Sequence, residues 1–127
     1  MPMIQFSYPL WLDEDVTVRE TMQKCLRLRK GFDDYIACLF KIASEEDKPI
    51  VRYMEYEYPN EGFETIVSQF MLGEKYIIAP ITEKGQGEKT VYIPKNTKWR
   101  RLDNGATVEN TQSFTVDINT LLIFEKL

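Results

Sequence analysis

The spacing of apolar residues changes period once along this chain, near Pro49. That change limits the fold to a helical part followed by a sheet part. Up to Pro49, apolar side chains recur in steps of three and four, through Val18, Met22, Cys25, Leu28, Phe32, Tyr35 or Ile36, Leu39 and Ala43. Such spacing describes one face of an α-helix. Thr17 and Glu20 match a capping box, and Asp13 and Asp15 lie where negative charge favours a helix start. Gly31 sits in the stripe without changing its phase. The expectation is therefore one long helix kinked at Gly31, or two helices nearly in line, ending at Lys48 and Pro49.

After Pro49 the pattern turns to short β-runs separated by turn chemistry. An extended stretch covers 50–58 and a short helical turn covers 62–68. Strands are expected at 76–81, 90–93, 98–102, 107–109, 113–116 and 121–125. Lys84-Gly85-Gln86-Gly87, Pro94-Lys95-Asn96 and Asp103-Asn104-Gly105 supply the turns. The Asn104-Gly105 pair signals a hairpin, because both residues tolerate positive φ. Pro80 lacks a donor, so its strand should have an edge or a bulge there. Ahead of the helix, 3–7 reads as a strand with no neighbouring partner in sequence. The fold class is α+β: an N-terminal strand and long helix packed with a small antiparallel β-sandwich or rolled sheet. The domain expectation is a strand and helical segment at 1–48 and a β-sandwich at 49–127.

Histidine is absent from the 127 residues. This removes Ser-His and Cys-His dyads, His-containing zinc sites and imidazole proton shuttles from the chain's own chemistry. Cys25 and Cys38 belong to no CxxC pair and read as small buried hydrophobes in a reducing, cytoplasmic setting. The first dozen residues are apolar but lack a basic n-region and a small-residue cleavage site, which argues against a signal peptide. A net charge of −4 argues against nucleic acid as a partner, and no apolar run approaches the ~20 residues of a membrane span. No metal or cofactor is expected.

Four groups of residues invite a chemical reading. In an extended strand Glu55 and Glu57 would share a face about 7 Å apart, near the spacing of an inverting glycosidase. A solvated acidic strand face accounts for them better, since catalytic carboxylates usually converge from different elements. Gly85-Gln86-Gly87-Glu88-Lys89-Thr90 evokes a phosphate loop, but Glu88 precedes the lysine and a strand follows, so a hairpin turn is the better account. Lys95, Lys98, Arg100 and Arg101 surround Trp99, either as a sugar-stacking or anion patch or as charges alternating outward around a packed indole. Phe6, Tyr8 and Trp11 form an aromatic cluster that suits sugar stacking or core packing equally.

The order of several segments resembles the C-terminal part of glycoside hydrolase family 31, the α-glucosidases and α-xylosidases. Gln69-Phe70-Met71-Leu72-Gly73 is followed by Tyr76-Ile77-Ile78-Ala79-Pro80-Ile81, then by Val91-Tyr92-Ile93-Pro94 with Trp99 beyond. Upstream, Leu26-Arg27-Leu28-Arg29-Lys30 and Pro49-Ile50-Val51-Arg52 are similar to the family's last barrel helix and its exit. The opening Met1-Pro2-Met3-Ile4-Gln5-Phe6-Ser7, with Trp11, is similar to the eighth barrel strand and its loop. The resemblance runs in order over nearly the whole chain.

It implies that the two catalytic aspartates lie on earlier barrel strands, so no catalytic residue is assigned to this chain. The sugar-lining positions it implies are Gln5, Phe6, Ser7 and Trp11; Trp99, from its own basic surroundings, is a further sugar-stacking candidate. Many members carry an Arg-x-His element where this chain has Gln5-Phe6-Ser7. The implied function is that of a C-terminal fragment or truncated relative of such a hydrolase, structural and inactive alone. The alternative is a non-catalytic carbohydrate- or protein-binding β-sandwich. The expected partners are the remainder of a glycoside hydrolase, or a second copy meeting an exposed apolar strand and helix.

Overall fold

In a computed structural model of the chain, residues 9–83, 85–117 and 119–127 are described. The strand expected at 3–7 lies outside them, as do Gln5, Phe6, Ser7, Tyr8 and Lys84. The chain divides into two compact units, Met1–Cys38 and Leu39–Leu127.

In the first unit, a 3-10 turn at Leu10–Leu12 precedes helix α1, Val16–Gly31. The helix is capped by Asp15, whose carboxylate accepts from Thr17 N at 2.8 Å, and not by Thr17 as the sequence suggests. An Asp at the N-cap competes successfully for the same orphan donors. The Arg19 guanidinium donates to the Asp13 and Glu14 carbonyls and fastens the entry loop to the first turn. A second helix, α2, covers Asp33–Glu46, beginning its ladder at the Phe32 carbonyl and running on into the second unit from Leu39. Phe32 lies between the two helices at φ −96°, ψ 0°, one residue beyond the glycine that marks the break in the sequence. Asp33 and Asp34 complement the positive end of α2. Asp47, at φ +55°, turns the chain out of it.

The helical stripe has the expected phase, but little of it is buried. Phe32, Ile36 and Leu39 are buried, while Val18, Met22, Cys25 and Leu28 are half-exposed. Cys25 and Cys38 are free thiols, one half-exposed and the other exposed, so the expectation of two buried cysteines does not hold. Position 38 falls between the buried positions 36 and 39 and looks outward.

The second unit holds the remaining elements. These are β1 (Val51–Arg52), α3 (Met54–Glu57), β2 (Phe70–Leu72), β3 (Tyr76–Ile78), β4 (Glu88–Val91), β5 (Trp99–Arg101), β6 (Thr107–Val108), β7 (Gln112–Thr115) and β8 (Ile123–Lys126). Six strands form an antiparallel sheet in the order β1-β2-β3-β8-β5-β6, and β4 pairs with β7 in a second sheet. The α+β class with two antiparallel sheets is as expected. Met71, Ile77 and Phe124 stand opposite one another across three neighbouring strands, and Trp99 stands opposite Val108. Residues directly opposite in a ladder share a face, so this register places all five side chains in the core, with exposures of 3% or less. The two sheets meet where the Phe114 and Phe124 rings lie 5.5 Å apart.

Three local expectations are corrected. The extended stretch at 50–58 is interrupted at once, because Met54–Glu57 forms a helical turn after only two strand residues. The helical turn expected at 62–68 is an irregular loop with one turn bond, Ile66 N to the Phe63 carbonyl at 3.0 Å. The Gly85–Gly87 turn joins the two sheets and closes no hairpin, since β3 pairs with β2 and β8 while β4 pairs with β7. The Asn104-Gly105 hairpin is present between β5 and β6, with Gly105 at φ +72°. Pro80 lies beyond the end of β3, where a missing donor costs no ladder bond.

Candidate functional site

The polar residues of the apolar segments are buried and engaged with their own backbone. Gln69, 1% exposed, precedes β2 and reaches Tyr92, the residue that follows β4 of the second sheet. Its amide donates to the Tyr92 carbonyl at 2.8 Å, and its carbonyl accepts from Tyr92 N at 2.8 Å. One side chain thus imitates a strand neighbour and satisfies both backbone groups of that residue. Lys89 lies in β4 on the same inward face as Val91, and its Nζ donates to the Ser68 carbonyl at 2.9 Å. Burial pushes the Lys89 ammonium below the usual lysine range. Together Gln69 and Lys89 staple the 63–69 loop to the smaller sheet.

Arg52 closes the other side. Its Nε donates to the Pro49 carbonyl at 2.6 Å and its guanidinium pairs with Glu57, with side-chain exposures of 5% and 17%. Glu55 accepts from Asn60 N at 2.9 Å. The two glutamates lie two residues apart on a helical turn, so they point about 200° apart and form no acid/base pair.

Trp99 is 0% exposed and belongs to the core. Its indole N–H donates to Thr97 Oγ1 at 2.7 Å, and that hydroxyl donates onward to the Pro94 carbonyl at 2.6 Å. An indole with no exposed face cannot stack on a sugar, so Trp99 serves packing and the sugar-stacking expectation fails for it. The surrounding cations are largely paired: Lys98 with Glu109 at 2.9 Å, Arg101 with Asp103 at 2.6 Å, and Arg100 with Glu125. Trp11 lies in the 3-10 turn and is 48% exposed; its companions Gln5, Phe6 and Ser7 fall outside the described residues.

On the outer face of the large sheet, Glu125 accepts from Lys75 Nζ at 2.9 Å, from Arg100 and from the Tyr76 hydroxyl at 3.3 Å. Bonds from Lys75 and then Arg100 hold its carboxyl down at about 2, against an ordinary 4.5. The folded chain therefore binds fewer protons here than the unfolded chain. This contribution to stability is complete above about pH 4.5 and fades as pH falls towards 2. Denaturation series at several pH values should show that loss, and Glu125→Gln should abolish this part of it.

The second unit also carries open depressions. One of about 600 Å³ is lined by Phe63, Tyr92, Lys95, Asn96, Asn110 and neighbours, and another of about 530 Å³ by Tyr53, Glu55, Tyr56, Phe63, Glu64 and Val67. Among the described residues, no group of three or more His, Cys, Asp and Glu side chains is arranged to hold a metal ion. The sequence reasoning missed Gln69 and Lys89 as buried polar anchors. Alternation in Glu88-Lys89-Thr90-Val91 already places Lys89 on the face of Val91, so that signal was present.

This arrangement defines a two-sheet β-domain in which the buried polar side chains Arg52, Gln69 and Lys89 fasten loops. Residues 47–126 match the model of the glycosyl hydrolase family 31 C-terminal domain, and the chain belongs to that family. It is 36% identical over 104 residues to the myogenesis-regulating glycosidase of Mus musculus, covering 79% of this chain and 14% of that protein. It is 31% identical over 108 residues to alpha-glucosidase 2 of Bacillus thermoamyloliquefaciens, covering 83% and 14%. Among solved structures, the GH31 alpha-xylosidase of Xanthomonas citri superposes with a TM-score of 0.84 at 28% identity, over 96% of this chain and 14% of that one. The chain spans 10% to 16% of the lengths of the curated relatives it matches.

Proposed function

We propose that this chain works as the structural C-terminal part of an α-glycosidase, with residues 1–48 supplying a barrel strand and helix and residues 49–127 the buttressing β-domain. In this reading the chemistry belongs to residues outside the chain, and Gln5, Phe6, Ser7 and Trp11 contribute at most to lining a sugar subsite. The observation that carries it is the use made of the family-like segments. Arg52, Gln69 and Trp99 spend their polar atoms on the chain's own carbonyls, amides and side chains, so the residues by which the family is recognised hold the fold. Hydrolysis with retention needs two carboxyl groups about 5 Å apart across a pocket, and Glu55 and Glu57 diverge by about 200° on one helical turn. Two free thiols, one of them exposed, favour a reducing, cytoplasmic compartment. The test is to fractionate a lysate of the source cells by size and probe it with an antibody against this chain. The epitope should co-elute with α-glucosidase or α-xylosidase activity at several times 15.0 kDa. An epitope eluting at 15.0 kDa, apart from any such activity, would overturn the reading.

A second reading, self-association of the isolated chain, is favoured by the apolar surface of the first unit. Trp11, Leu12, Val16 and Leu26 are 48%, 66%, 53% and 38% exposed. Sedimentation velocity over a concentration series should show reversible growth beyond the monomer, reduced in Leu12→Ser/Val16→Ser. A monomer at every concentration would contradict it.

A further inference from the structure

Next to the Gln69–Tyr92 staple, the 39–127 unit carries the depression of about 600 Å³, well within the roughly 300–1,000 Å³ of small-molecule clefts. We propose that this cleft binds a short neutral oligosaccharide through Tyr92, Lys95, Asn96 and Asn110. This goes beyond the structural role proposed above and does not depend on it.

Several polar atoms on this lining remain available to a ligand. Both lining carboxylates are engaged, Glu61 accepting from Lys95 N at 2.8 Å and Glu109 from Lys98 Nζ at 2.9 Å. Among the described residues, the Tyr92 hydroxyl, the Lys95 ammonium and the Asn96 and Asn110 amides make no hydrogen bond. Each carboxamide offers a donor pair and an acceptor side by side, which matches the vicinal hydroxyls of a sugar ring. The Tyr92 ring, half-buried beside Phe63, adds an apolar face for the C–H side of such a ring.

The charge balance argues for a neutral ligand. With Glu109 paired to Lys98, the remaining lining charges Glu61 and Lys95 balance, so the cleft carries no net charge to hold phosphate or sulfate. The backbone beneath is fixed before any ligand arrives. Thr111 Oγ1 accepts from Ile93 N at 3.0 Å, Thr97 Oγ1 donates to the Pro94 carbonyl at 2.6 Å, and Asn96 is held at φ +58°. A preset wall reduces the ordering cost of binding.

The test titrates the ¹⁵N-labelled chain with maltotriose or isomaltotriose to about 10 mM, following amide shifts. Saturable shifts confined to Tyr92, Lys95, Asn96 and Asn110 are expected, with a dissociation constant on the order of 1 mM. Asn110→Ala should weaken binding roughly fivefold or more while leaving the rest of the spectrum unchanged, and Tyr92→Phe should weaken it less. Lys95→Ala gives a second variant should Asn110→Ala perturb the fold. Three results would overturn the proposal: no shifts with either sugar, shifts centred on Tyr53 and Tyr56, or equal binding by the Asn110 and Lys95 variants. Stronger response to inorganic phosphate would overturn the neutral-ligand assignment. None of these outcomes bears on whether the epitope co-elutes with a glycosidase.

Discussion

Replacing Gln69 with leucine is expected to destabilise the fold by about 4 kcal/mol, far beyond what the loss of one exposed amide would cause. Leucine fills much the same space, so the packing loss is small. The cost arises at Tyr92, where a buried N–H and a buried C=O lose their partners together. Each orphaned backbone group costs roughly 1–3 kcal/mol, and water has poor access to a side chain 1% exposed. Urea denaturation measures the effect directly. A variant within about 0.5 kcal/mol of the parent would mean that the staple is dispensable.

Trp99→Ala should cost about 3–5 kcal/mol, the usual range for truncating a large core aromatic. The indole stands opposite Val108 in the ladder and is 0% exposed, so alanine leaves a void that rigid strands cannot fill. It also removes the indole N–H that Thr97 Oγ1 accepts, leaving that hydroxyl only its bond to the Pro94 carbonyl. Trp99→Phe should lose less, because the ring volume largely remains. The chain has two tryptophans, so Trp11→Phe isolates the emission of Trp99. That emission should be blue-shifted and insensitive to added sugar; quenching by sugar in Trp11→Phe would contradict the core assignment.

The sequence conveyed the β part of the fold well, because it rests on local signals. Alternation found β3, β4, β5, β6, β7 and β8 within two or three residues at each end, and Asn104-Gly105 marked its hairpin. Pairing was less legible. Nothing local says that β4 leaves the sheet of β3 to join β7, since that choice is made by contacts between residues far apart in sequence. The Tyr53–Glu57 segment misled because alternation of tyrosine and glutamate suggests a strand, whereas the Arg52–Glu57 ion pair and the Tyr58 N–H bonded to the Met54 carbonyl close a helical turn. Trp99 among four cations left a stacking patch and a packed indole both open, and the strand period decides for packing by turning the indole inward and its charged neighbours outward.

The helical part shows a different limit. Spacing gave the phase of the stripe through Phe32, Ile36 and Leu39, but periodicity only names a face and cannot say whether anything covers it. That is why Cys25 and Cys38, counted as buried, are half-exposed and exposed.

The central claim is that the family's C-terminal residues in this chain hold a fold and carry no hydrolytic centre of their own. The most direct test is turnover of aryl α-glucosides and α-xylosides by the purified 127-residue chain. The expected rate is no different from buffer. Turnover that follows the chain through stringent purification, and that falls when Glu55 or Glu57 is changed to glutamine, would contradict it.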